Sequence, residues 1–360
     1  MEGKNKIYRL FILSLLLGLV LLSCRMPLDL GQSVVQDPIV PVHLVTMAPN
    51  ASPTYTPFQP VPNTPTITPS PTPTQTPTPT LTPTPTITMT PTVTDTPEPQ
   101  PDILVGAGDI SKCDQDGDNH TSELLASIPG EIYTLGDNSN DSGSPEQYSD
   151  CFDYSWGRYM ARLHPVPGNH DYFYNGGTSY FDYFGATAGE FGKGYYSYDV
   201  GTWHVIAINS LIGIDAESPQ AQWLRDDLAA HPALCTLAYW HYPRWSSGTV
   251  GNYIEMDPII RILYDHNVDI VLSGHDHIYE RFSPQNPDGA LDPLRGIREF
   301  IVGTGGATHH GFGEIKANSE VRNNDTFGVL EFLLYPDGYT WEFIPVKGSS
   351  FTDSGFEYCH

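Results

Sequence analysis

The amino-acid sequence predicts an α/β domain over residues 102–360, preceded by a proline-rich segment that cannot form a packed core. Two observations support this prediction. Apolar runs typical of buried strands alternate with helical patterns after Asp102, and about half of the chain's 33 prolines fall between Pro49 and Pro101. The roughly 260 residues that remain are enough for one large domain with a substantial core.

The strands are predicted from short runs rich in Ile, Val, Leu and aromatic residues, which are bounded by polar loops. These runs are Asp102–Ala107, Glu131–Leu135, His204–Asn209, Thr236–Trp240, Asp269–Ser273 and Glu299–Gly303. Each is too short to be an independent helix and is apolar enough to be buried on both faces.

Helical spacing of apolar residues occurs in two segments between these runs. Gln220–His231 and Asp257–His266 each have a proline near the start, where a helix tolerates it. Strand and helix therefore alternate, which is the α/β pattern. Near the C-terminus, Gly328–Leu334 and Tyr339–Pro345 flank an Asp-Gly pair, a strong signal for a β-hairpin.

The N-terminus has the pattern of a bacterial export signal. Basic residues precede an apolar run from Leu10 to Leu22, which is too short to span a bilayer comfortably. The run ends at Ser23-Cys24 and resembles a lipobox, so we expect a signal peptide over residues 1–23 and lipidation at Cys24. The alternatives are an uncleaved anchor or an ordinary secretory signal. The lipobox favours a cell-surface or periplasmic lipoprotein of a bacterium, tethered to the membrane through Cys24.

Residues 24–101 are predicted to be a disordered Thr/Pro-rich linker. Repeated Thr-Pro units with almost no charge favour extended polyproline II geometry and leave no apolar surface to bury. The segment would be a stalk that holds the domain away from the membrane. An O-glycosylated stalk has the same composition.

The net charge of −25 lies almost entirely in residues 102–360. Nucleic acid is therefore not an expected partner, because its phosphates would be repelled and no basic stripe interrupts the acidic surface. A small anionic substrate remains compatible with this charge if bound cations reverse the sign locally.

Four cysteines lie in the predicted domain, and an even number in an exported chain predicts two disulfides. We expect Cys113 to pair with Cys151 and Cys235 with Cys359, because the first two flank loops that leave neighbouring strands. Free or metal-binding thiols are the alternative.

Polar motifs follow the predicted strands at the points where these strands end. They are Gly108-Asp109, Gly136-Asp137-Asn138, Gly168-Asn169-His170-Asp171, Trp240-His241-Tyr242-Pro243 and Gly274-His275-Asp276-His277. Ligands of open α/β sheets gather at the carboxyl ends of strands, so these side chains are expected at one site. Their types also agree: carboxylate, amide and imidazole ligands form a mixed oxygen and nitrogen site. We therefore predict metal ligation by Asp109, Asp137, Asn169, His241, His275 and His277.

These motifs resemble those of the calcineurin-like metallophosphoesterases, and more closely the purple acid phosphatase-like branch. The features of the branch are Gly274–Arg281, the His241-x-Pro243 pattern and the glycine-rich loop Gly303–Gly306. The resemblance covers residues 102–360 and implies a four-layer α/β/β/α sandwich with a dinuclear centre at its edge.

The resemblance also implies which residues hold each metal ion. Asp109 and His277 would hold the first ion, Asn169, His241 and His275 the second, and Asp137 would bridge both. The ions would be divalent or of mixed valence, with Fe, Zn or Mn as candidates.

Two positions depart from the family pattern. Ser111 stands where the family usually offers His or Gly, and Asn140 stands where the purple branch places a tyrosine. The first ion therefore has fewer evident ligands, and a purple colour is not expected. Water, or the amide oxygen of Asn140, would complete the shell.

The expected reaction is hydrolysis of a small phosphate monoester. Two cations would lower the pKa of a bridging water and supply hydroxide at neutral pH. His170 would donate a proton to the leaving oxygen or stabilise the phosphate charge, and Asp171 would orient its ring, cap a helix or form a surface ion pair. Tyr242, His309 and His310 are candidates for substrate contact, and loop placement explains each of them equally well.

Two other functions stay open on the sequence alone. A phosphodiesterase or nucleotidase would use the same centre. A metal-binding surface lipoprotein without turnover is also compatible, because Ser111 and Asn140 depart from the family pattern.

Overall fold

The computed structural model describes residues 100–360 of the chain. The predicted signal peptide, Cys24 and all but the last two residues of the predicted linker lie outside this range. Within residues 100–360, the helices are too short or too polar to cross a membrane.

A six-stranded sheet contains both ends of the described domain. Its order is β13-β12-β11-β1-β2-β3, in which β1, β2 and β3 run parallel and the others antiparallel. The bounds are β1 Asp102–Ala107, β2 Glu131–Leu135, β3 Leu163–Val166, β11 Gly328–Tyr335, β12 Gly338–Pro345 and β13 Ser354–Tyr358. The predicted hairpin is present, with Tyr335 opposite Gly338 in the register.

A seven-stranded sheet has the order β10-β8-β9-β7-β6-β5-β4. The bounds are β4 Tyr196–Val200, β5 Trp203–Ala207, β6 Thr236–Tyr239, β7 Ile270–Ser273, β8 Tyr279–Phe282, β9 Arg298–Val302 and β10 Ser319–Asn323. Strands β5, β6, β7 and β9 are parallel neighbours. Their carboxyl ends therefore open on one edge of the sheet.

Six α-helices connect these strands within the described residues. They are α1 Gly117–Leu125, α2 Pro145–Asp150, α3 Asn169–Phe173, α4 Thr178–Phe184, α5 Pro219–Ala230 and α6 Asp257–Asp265. Short 3-10 turns cover Phe152–Tyr154, Trp156–Arg162, Gly185–Ala188 and Ile254–Met256. Helix α5 begins with a sequence-encoded cap: the Ser218 hydroxyl accepts a hydrogen bond from the Ala221 amide, and proline follows at the first helical position.

The two sheets pack face to face through large aromatic side chains. Tyr133 of one sheet contacts Tyr239 of the other, and the Trp203 and Tyr339 rings meet edge to face with centroids 5.7 Å apart. Such an aromatic pair contributes about 0.5–1.5 kcal/mol beyond the burial of its area. Trp203 also donates its indole hydrogen to the Tyr335 carbonyl, which satisfies the polar atom of this buried ring.

Helices cover the outer face of each sheet. Leu224 of α5 and Ile260 of α6 belong to a buried cluster with Ile206 and Ala238 of the seven-stranded sheet. On the other side, α1 packs against β11 of the six-stranded sheet. The order helix, sheet, sheet, helix confirms the predicted α/β class and its four layers.

Both predicted disulfides are present. Cys113 pairs with Cys151 and Cys235 with Cys359, with a Cα–Cα distance of 5.4 Å in each pair. Bonds of this kind persist in oxidising compartments, which is compatible with export.

Candidate metal centre

Five polar motifs lie at the carboxyl ends of parallel strands from both sheets. The motifs with the predicted oxygen ligands follow β1, β2 and β3 of the six-stranded sheet, and the motifs with the predicted imidazole ligands follow β6 and β7 of the seven-stranded sheet. The six-stranded sheet thus supplies Asp109, Asp137 and Asn169, and the seven-stranded sheet supplies His241, His275 and His277. The site therefore spans the edge at which the two sheets meet.

The backbone is strained at this edge. Asp109, Asp137 and His275 have positive φ angles of 57°, 48° and 69°, and only two other non-glycine residues of the described chain, Asn267 and Asn318, share this sign. Such a conformation costs a residue with a side chain about 1–3 kcal/mol and persists only where its surroundings enforce it. The strain is concentrated where the turn must aim a ligand back into the site.

Glycine is required at position 168 because the backbone there passes very close to Asp137, and not because of its φ angle. A Cβ atom at this position would lie 2.1 Å from Oδ1 of Asp137 and 2.2 Å from its amide nitrogen. Glycine therefore lets the loop after β3 pass against the Asp137 backbone. This close approach lies next to the predicted ligand Asn169.

One candidate cluster consists of Asp137, His241 and His275, with Asn169 beside it. The Nε2 atom of His241 lies 2.9 Å from Oδ1 of Asn169 and 3.4 Å from Oδ1 of Asp137. The His241 and His275 rings are 4.9 Å apart between centroids. These residues come from four different loops, those after β2, β3, β6 and β7.

A second cluster consists of Asp109, Asp137 and His277. Nε2 of His277 lies 3.3 Å from Oδ1 of Asp109, and the His275 amide donates a 2.8 Å hydrogen bond to Oδ2 of the same carboxylate. Asp137 belongs to both clusters, so its carboxylate lies between two potential cation positions.

The hydrogen bonds of the imidazole rings leave their inward nitrogens without a hydrogen. Nδ1 of His241 lies 2.7 Å from the Leu135 carbonyl, and Nδ1 of His277 is bonded to the Thr308 carbonyl. A carbonyl only accepts, so Nδ1 carries the hydrogen in each neutral ring and Nε2 presents a lone pair. A hydrogen bond from the other ring nitrogen to a carbonyl is typical of metal-bound histidine.

The inward atoms fit a cation. The His241 lone pair points towards the oxygens of Asn169 and Asp137, and Oδ1 of Asp109 is buried without a hydrogen-bond donor among residues 100–360. Lone pairs that face one another at these distances repel unless a proton or a metal ion lies between them. The donor set of nitrogen and oxygen suits transition metals such as Zn, Fe and Mn.

Burial and neighbouring charges shift the pKa values of the cluster. Burial, aided by the neighbouring His241, lowers the pKa of His275 to about 3, so its ring is neutral at physiological pH. Burial raises the pKa of Asp137 to about 6, against the effect of His241. For Asp109, burial raises the pKa, but the neighbouring His277, His241 and His275 together outweigh it and lower the pKa to about 2.

His170 lies beside the shared carboxylate and reaches solvent. Its amide donates a 2.8 Å hydrogen bond to Oδ1 of Asp137, and its Nε2 atom lies 3.8 Å from Oδ2 of the same residue. Nδ1 lies 2.9 Å from the Asp141 carbonyl, which fixes the ring. The side chain is 29% exposed, so the ring lies between the shared carboxylate and solvent.

Asp171 does not orient this ring; the Asp141 carbonyl does so. The Asp171 side chain is buried beneath the loops that follow β2 and β3. It accepts hydrogen bonds from the Asn138, Ser139 and Gly168 amides, which lie beyond the strands and have no strand partner. It also accepts from the Asn138 amide group and from the Tyr148 hydroxyl. Asp171 therefore acts as an internal clamp between the loops after β2 and β3.

Sequence reasoning missed the supporting roles of Asn138, Asp276 and Tyr148. Asp276 is buried and accepts hydrogen bonds from the Ser246 hydroxyl and from the Val250 and Gly251 amides. Asn138 and Asp276 each lie next to a predicted ligand within one of the five polar motifs. This position in the sequence could have indicated their supporting roles. The distant Tyr148 had no such signal.

The remaining candidates lie around the centre. Asn140 donates a 3.2 Å hydrogen bond to Oδ2 of Asp137, which places it beside the shared carboxylate. The His310 ring stacks on His277 with centroids 3.9 Å apart, whereas His309 stacks on Phe327 at 4.0 Å. Tyr242 meets the His275 ring edge-on at 4.5 Å.

Curated relatives of this chain include plant purple acid phosphatases. Purple acid phosphatase 15 of Arabidopsis thaliana is 28% identical over 228 residues, which cover 57% of this chain and 40% of the relative. Purple acid phosphatase 23 of the same plant is 27% identical over 229 residues, which cover 58% and 47%. The chain thus spans less than half the length of either relative.

Solved structures share the fold. The purple acid phosphatase PPD1 from yellow lupin seeds superposes with a TM-score of 0.58 at 18% identity, covering 71% of this chain and 53% of that one. GAP50, described as the anchor in the inner membrane complex of Plasmodium, superposes with a TM-score of 0.57 at 14% identity, covering 73% and 90%. These likenesses concern the fold alone.

A family model provides the decisive comparison. The model described as "Calcineurin-like phosphoesterase" matches residues 92–279, a range that includes all six predicted metal ligands. Because the match spans more than half of the 360 residues, the chain belongs to the calcineurin-like phosphoesterase family.

Proposed function

We propose that this protein is a metal-dependent hydrolase of phosphate monoesters. The observation that carries the proposal is the Asp137 carboxylate, which belongs to two ligand clusters at once. Asp109 and His277 complete one cluster, and His241 and His275 complete the other. Such a shared carboxylate is what a dinuclear site for phosphoryl transfer requires.

When bound, two cations would acidify water and compensate the negative charge of the phosphate. The two sheets would supply different ligands to these cations. Carboxylate and amide oxygens come from the six-stranded sheet, and imidazoles come from the seven-stranded sheet. Local positive charge would also let an anion approach a domain that is otherwise strongly acidic.

His170 is proposed as the proton donor to the leaving oxygen. Its Nδ1 hydrogen is held by the Asp141 carbonyl, so Nε2 is the atom that can carry and release a second proton. The same atom is 3.8 Å from Asp137 and faces the site from its solvent side. In its charged form, His170 would also stabilise the phosphate oxygens.

We also propose export and attachment to a membrane through a lipid on Cys24. The lipobox-like sequence motivates this proposal, and the two disulfides support the export step. In the producing cells, Cys24→Ala would move the protein from the membrane fraction to the soluble fraction. Unchanged fractionation of this variant would refute the lipid anchor without affecting the enzymatic proposal.

The test of function combines metal analysis with hydrolysis. We expect two metal ions per chain in the isolated protein, and release of nitrophenol from p-nitrophenyl phosphate with Mn, Zn or Fe. The bis-nitrophenyl ester is compared in parallel; faster hydrolysis of the diester would replace the monoesterase proposal by a phosphodiesterase. Two bound metals with no turnover of either ester would favour a binding protein.

A matched pair of variants tests the site. Asp137→Asn removes the shared charge and should lower kcat by about 100-fold or more, the scale observed when a catalytic electrostatic group is lost. Asp182→Asn makes the same chemical change on the exposed surface of α4 and should leave activity unchanged. Full activity of Asp137→Asn would contradict the proposed centre.

A further inference from the structure

A groove of about 640 Å³ lies beside the candidate metal centre. Two segments form its walls: the loop after β5, residues 210–215, and the segment from Tyr253 to Pro258 that leads into α6. Tyr242, which directly follows the ligand His241, completes the lining. Its size is in the range of small-molecule sites.

Tyr242 connects this groove to the metal ligands. Its ring meets His275 edge-on at 4.5 Å and stacks on Tyr253 with centroids 4.2 Å apart and planes 18° from parallel. A molecule that places its phosphate at the centre would therefore extend its other end along this tyrosine pair. The pair is the first surface that a leaving group would meet in this direction.

Backbone hydrogen bonds hold both tyrosines in place before any ligand arrives. The Tyr242 amide donates a 3.2 Å hydrogen bond to the Ser210 hydroxyl, and its carbonyl accepts a 2.7 Å bond from the Trp240 indole. The Tyr253 amide donates a 2.8 Å bond to the Pro243 carbonyl. A preorganised aromatic surface binds a flat ligand at a lower entropic cost.

Apart from Ser210, the rest of the lining is apolar or acidic. Leu211, Ile212 and Ile214 face the groove, and Ile254 exposes 57% of its surface there. The charged lining residues are Asp215, Glu255 and Asp257, and no Lys, Arg or His lines the groove among the described residues.

Only part of this negative charge is neutralised. Asp257 is paired with Arg244 and Arg261, whereas no salt bridge engages Asp215 or Glu255 within the described chain. The uncompensated carboxylates would repel a leaving group that carries its own negative charge.

We propose that this groove binds the leaving group of the substrate and selects aromatic groups that are neutral or cationic. The substrate class is then an aryl or arylalkyl phosphate monoester, and nucleoside polyphosphates are disfavoured. This inference rests on the proposed function, which it deepens by naming the substrate class. Tyr253 is the specificity residue, because it contacts the groove but none of the predicted metal ligands.

The first experiment measures binding without turnover. Phenylphosphonate and butylphosphonate present the same anion to the metal-loaded full-length protein, and their dissociation constants are compared by calorimetry. We expect phenylphosphonate to bind about 2- to 10-fold more tightly, which is the range for one aromatic contact. Equal affinities would overturn the inference.

Variants localise the preference. Tyr253→Leu keeps an apolar side chain but removes the ring, and should bring the ratio of the two dissociation constants close to one. Tyr154→Leu is the control, because Tyr154 is 70% exposed and is not part of the groove lining. If the ratio of dissociation constants is unchanged in Tyr253→Leu, the preference arises elsewhere and the proposed role of this groove is refuted.

Charge selection is tested with 4-carboxyphenylphosphonate. It should bind the wild type less tightly than phenylphosphonate, and the double variant Asp215→Asn/Glu255→Gln should recover about 2- to 5-fold, as expected for exposed charges. No recovery would refute the proposed discrimination against anionic leaving groups.

Hydrolysis separates this inference from the proposed function. Benzyl and butyl phosphate both release an alcohol, so the ratio of their kcat/KM values reports the groove rather than the intrinsic reactivity of the ester. A preference for benzyl phosphate that Tyr253→Leu abolishes supports the groove. If neither ester is hydrolysed while the phosphonate preference persists, the proposed function fails and the binding site stands.

Discussion

Replacement of Asp171 by asparagine should destabilise the domain strongly, although the side chain hardly changes size. Its two carboxylate oxygens together accept five hydrogen bonds in the interior. Oδ2 receives the amide of Gly168 at 2.8 Å and two donors of Asn138 at 3.0 and 3.2 Å. Oδ1 receives the amide of Ser139 at 3.1 Å and the hydroxyl of Tyr148 at 2.5 Å.

The magnitude follows from counting these bonds. In Asp171→Asn, the remaining oxygen best replaces Oδ2, which leaves an NH2 group facing the Ser139 amide. One buried backbone donor then loses its acceptor, at a cost of about 1–3 kcal/mol, and the other bonds lose the contribution of the charge. The Tyr148 hydroxyl can rotate and accept from the new NH2 group. We expect a loss of about 3–5 kcal/mol in the free energy of unfolding.

The matched control is Tyr148→Phe, which removes one of the five bonds and should cost about 1–3 kcal/mol. Urea unfolding of the wild type and both variants measures the difference at neutral pH. Metal content is measured on the same samples, because a looser loop should bind metal less tightly at Asn169. If Asp171→Asn costs no more than Tyr148→Phe, the carboxylate is not the clamp inferred here.

Three further predictions follow from packing and from pKa shifts. Gly168→Ala should displace Asp137 and lower metal occupancy, since its Cβ would approach Oδ1 of that residue to 2.1 Å; unchanged metal content would contradict this close approach. Burial opposes the charged form of His204, but hydrogen bonds to Asp227 and Asp199 outweigh it and raise the pKa. The stability that these bonds contribute is therefore fully present below about pH 6.5 and is lost as the pH rises through the folded-state pKa. In His204→Asn, the free energy of unfolding should depend less on pH in this range. An identical pH dependence in variant and wild type would refute the assignment. Burial raises the pKa of Glu299 from 4.5 to about 8, so stability should fall by about 5 kcal/mol between these pH values, and Glu299→Gln should remove this slope in urea titrations.

Interior strands such as β1 and β2 could be predicted from the sequence because burial on both faces leaves a continuous apolar run. The observed bounds of β1 and β2 are the predicted ones, Asp102–Ala107 and Glu131–Leu135. Strands β10 and β13 were missed for the opposite reason. Ser319–Asn323 is polar and lies at a sheet edge, and Ser354–Tyr358 alternates between exposed and half-buried positions, so neither has a buried face to produce a pattern.

The candidate ligands could be predicted because each motif places a polar residue just after a strand, and in four of the five motifs a glycine precedes that residue. Their supports could not be predicted, because they are backbone groups or residues distant in sequence. The carbonyls of Leu135, Asp141 and Thr308 fix three imidazole rings, and a carbonyl has no sequence signature. The groove was missed for a related reason: Leu211 and Tyr253 line the same groove because the strands that precede them, β5 and β6, are neighbours in the sheet.

The division of ligands between the sheets gives the centre a structural role besides its proposed chemistry. Each cluster takes oxygens from the six-stranded sheet and at least one imidazole from the seven-stranded sheet, so a cation in either position would join the two sheets. At the opposite end of β6, Cys235 is bonded to Cys359, which follows β13 of the other sheet, and the 124-residue separation makes this link an effective constraint on the unfolded chain. The disulfide therefore links β6 to the six-stranded sheet just before the first residue of the strand. His241, just after its last residue, would form a second link through the proposed metal ion. Because a ligand that binds only the folded state stabilises it in proportion to RT ln(1 + [L]/Kd), metal occupancy and sheet packing must strengthen each other at this edge.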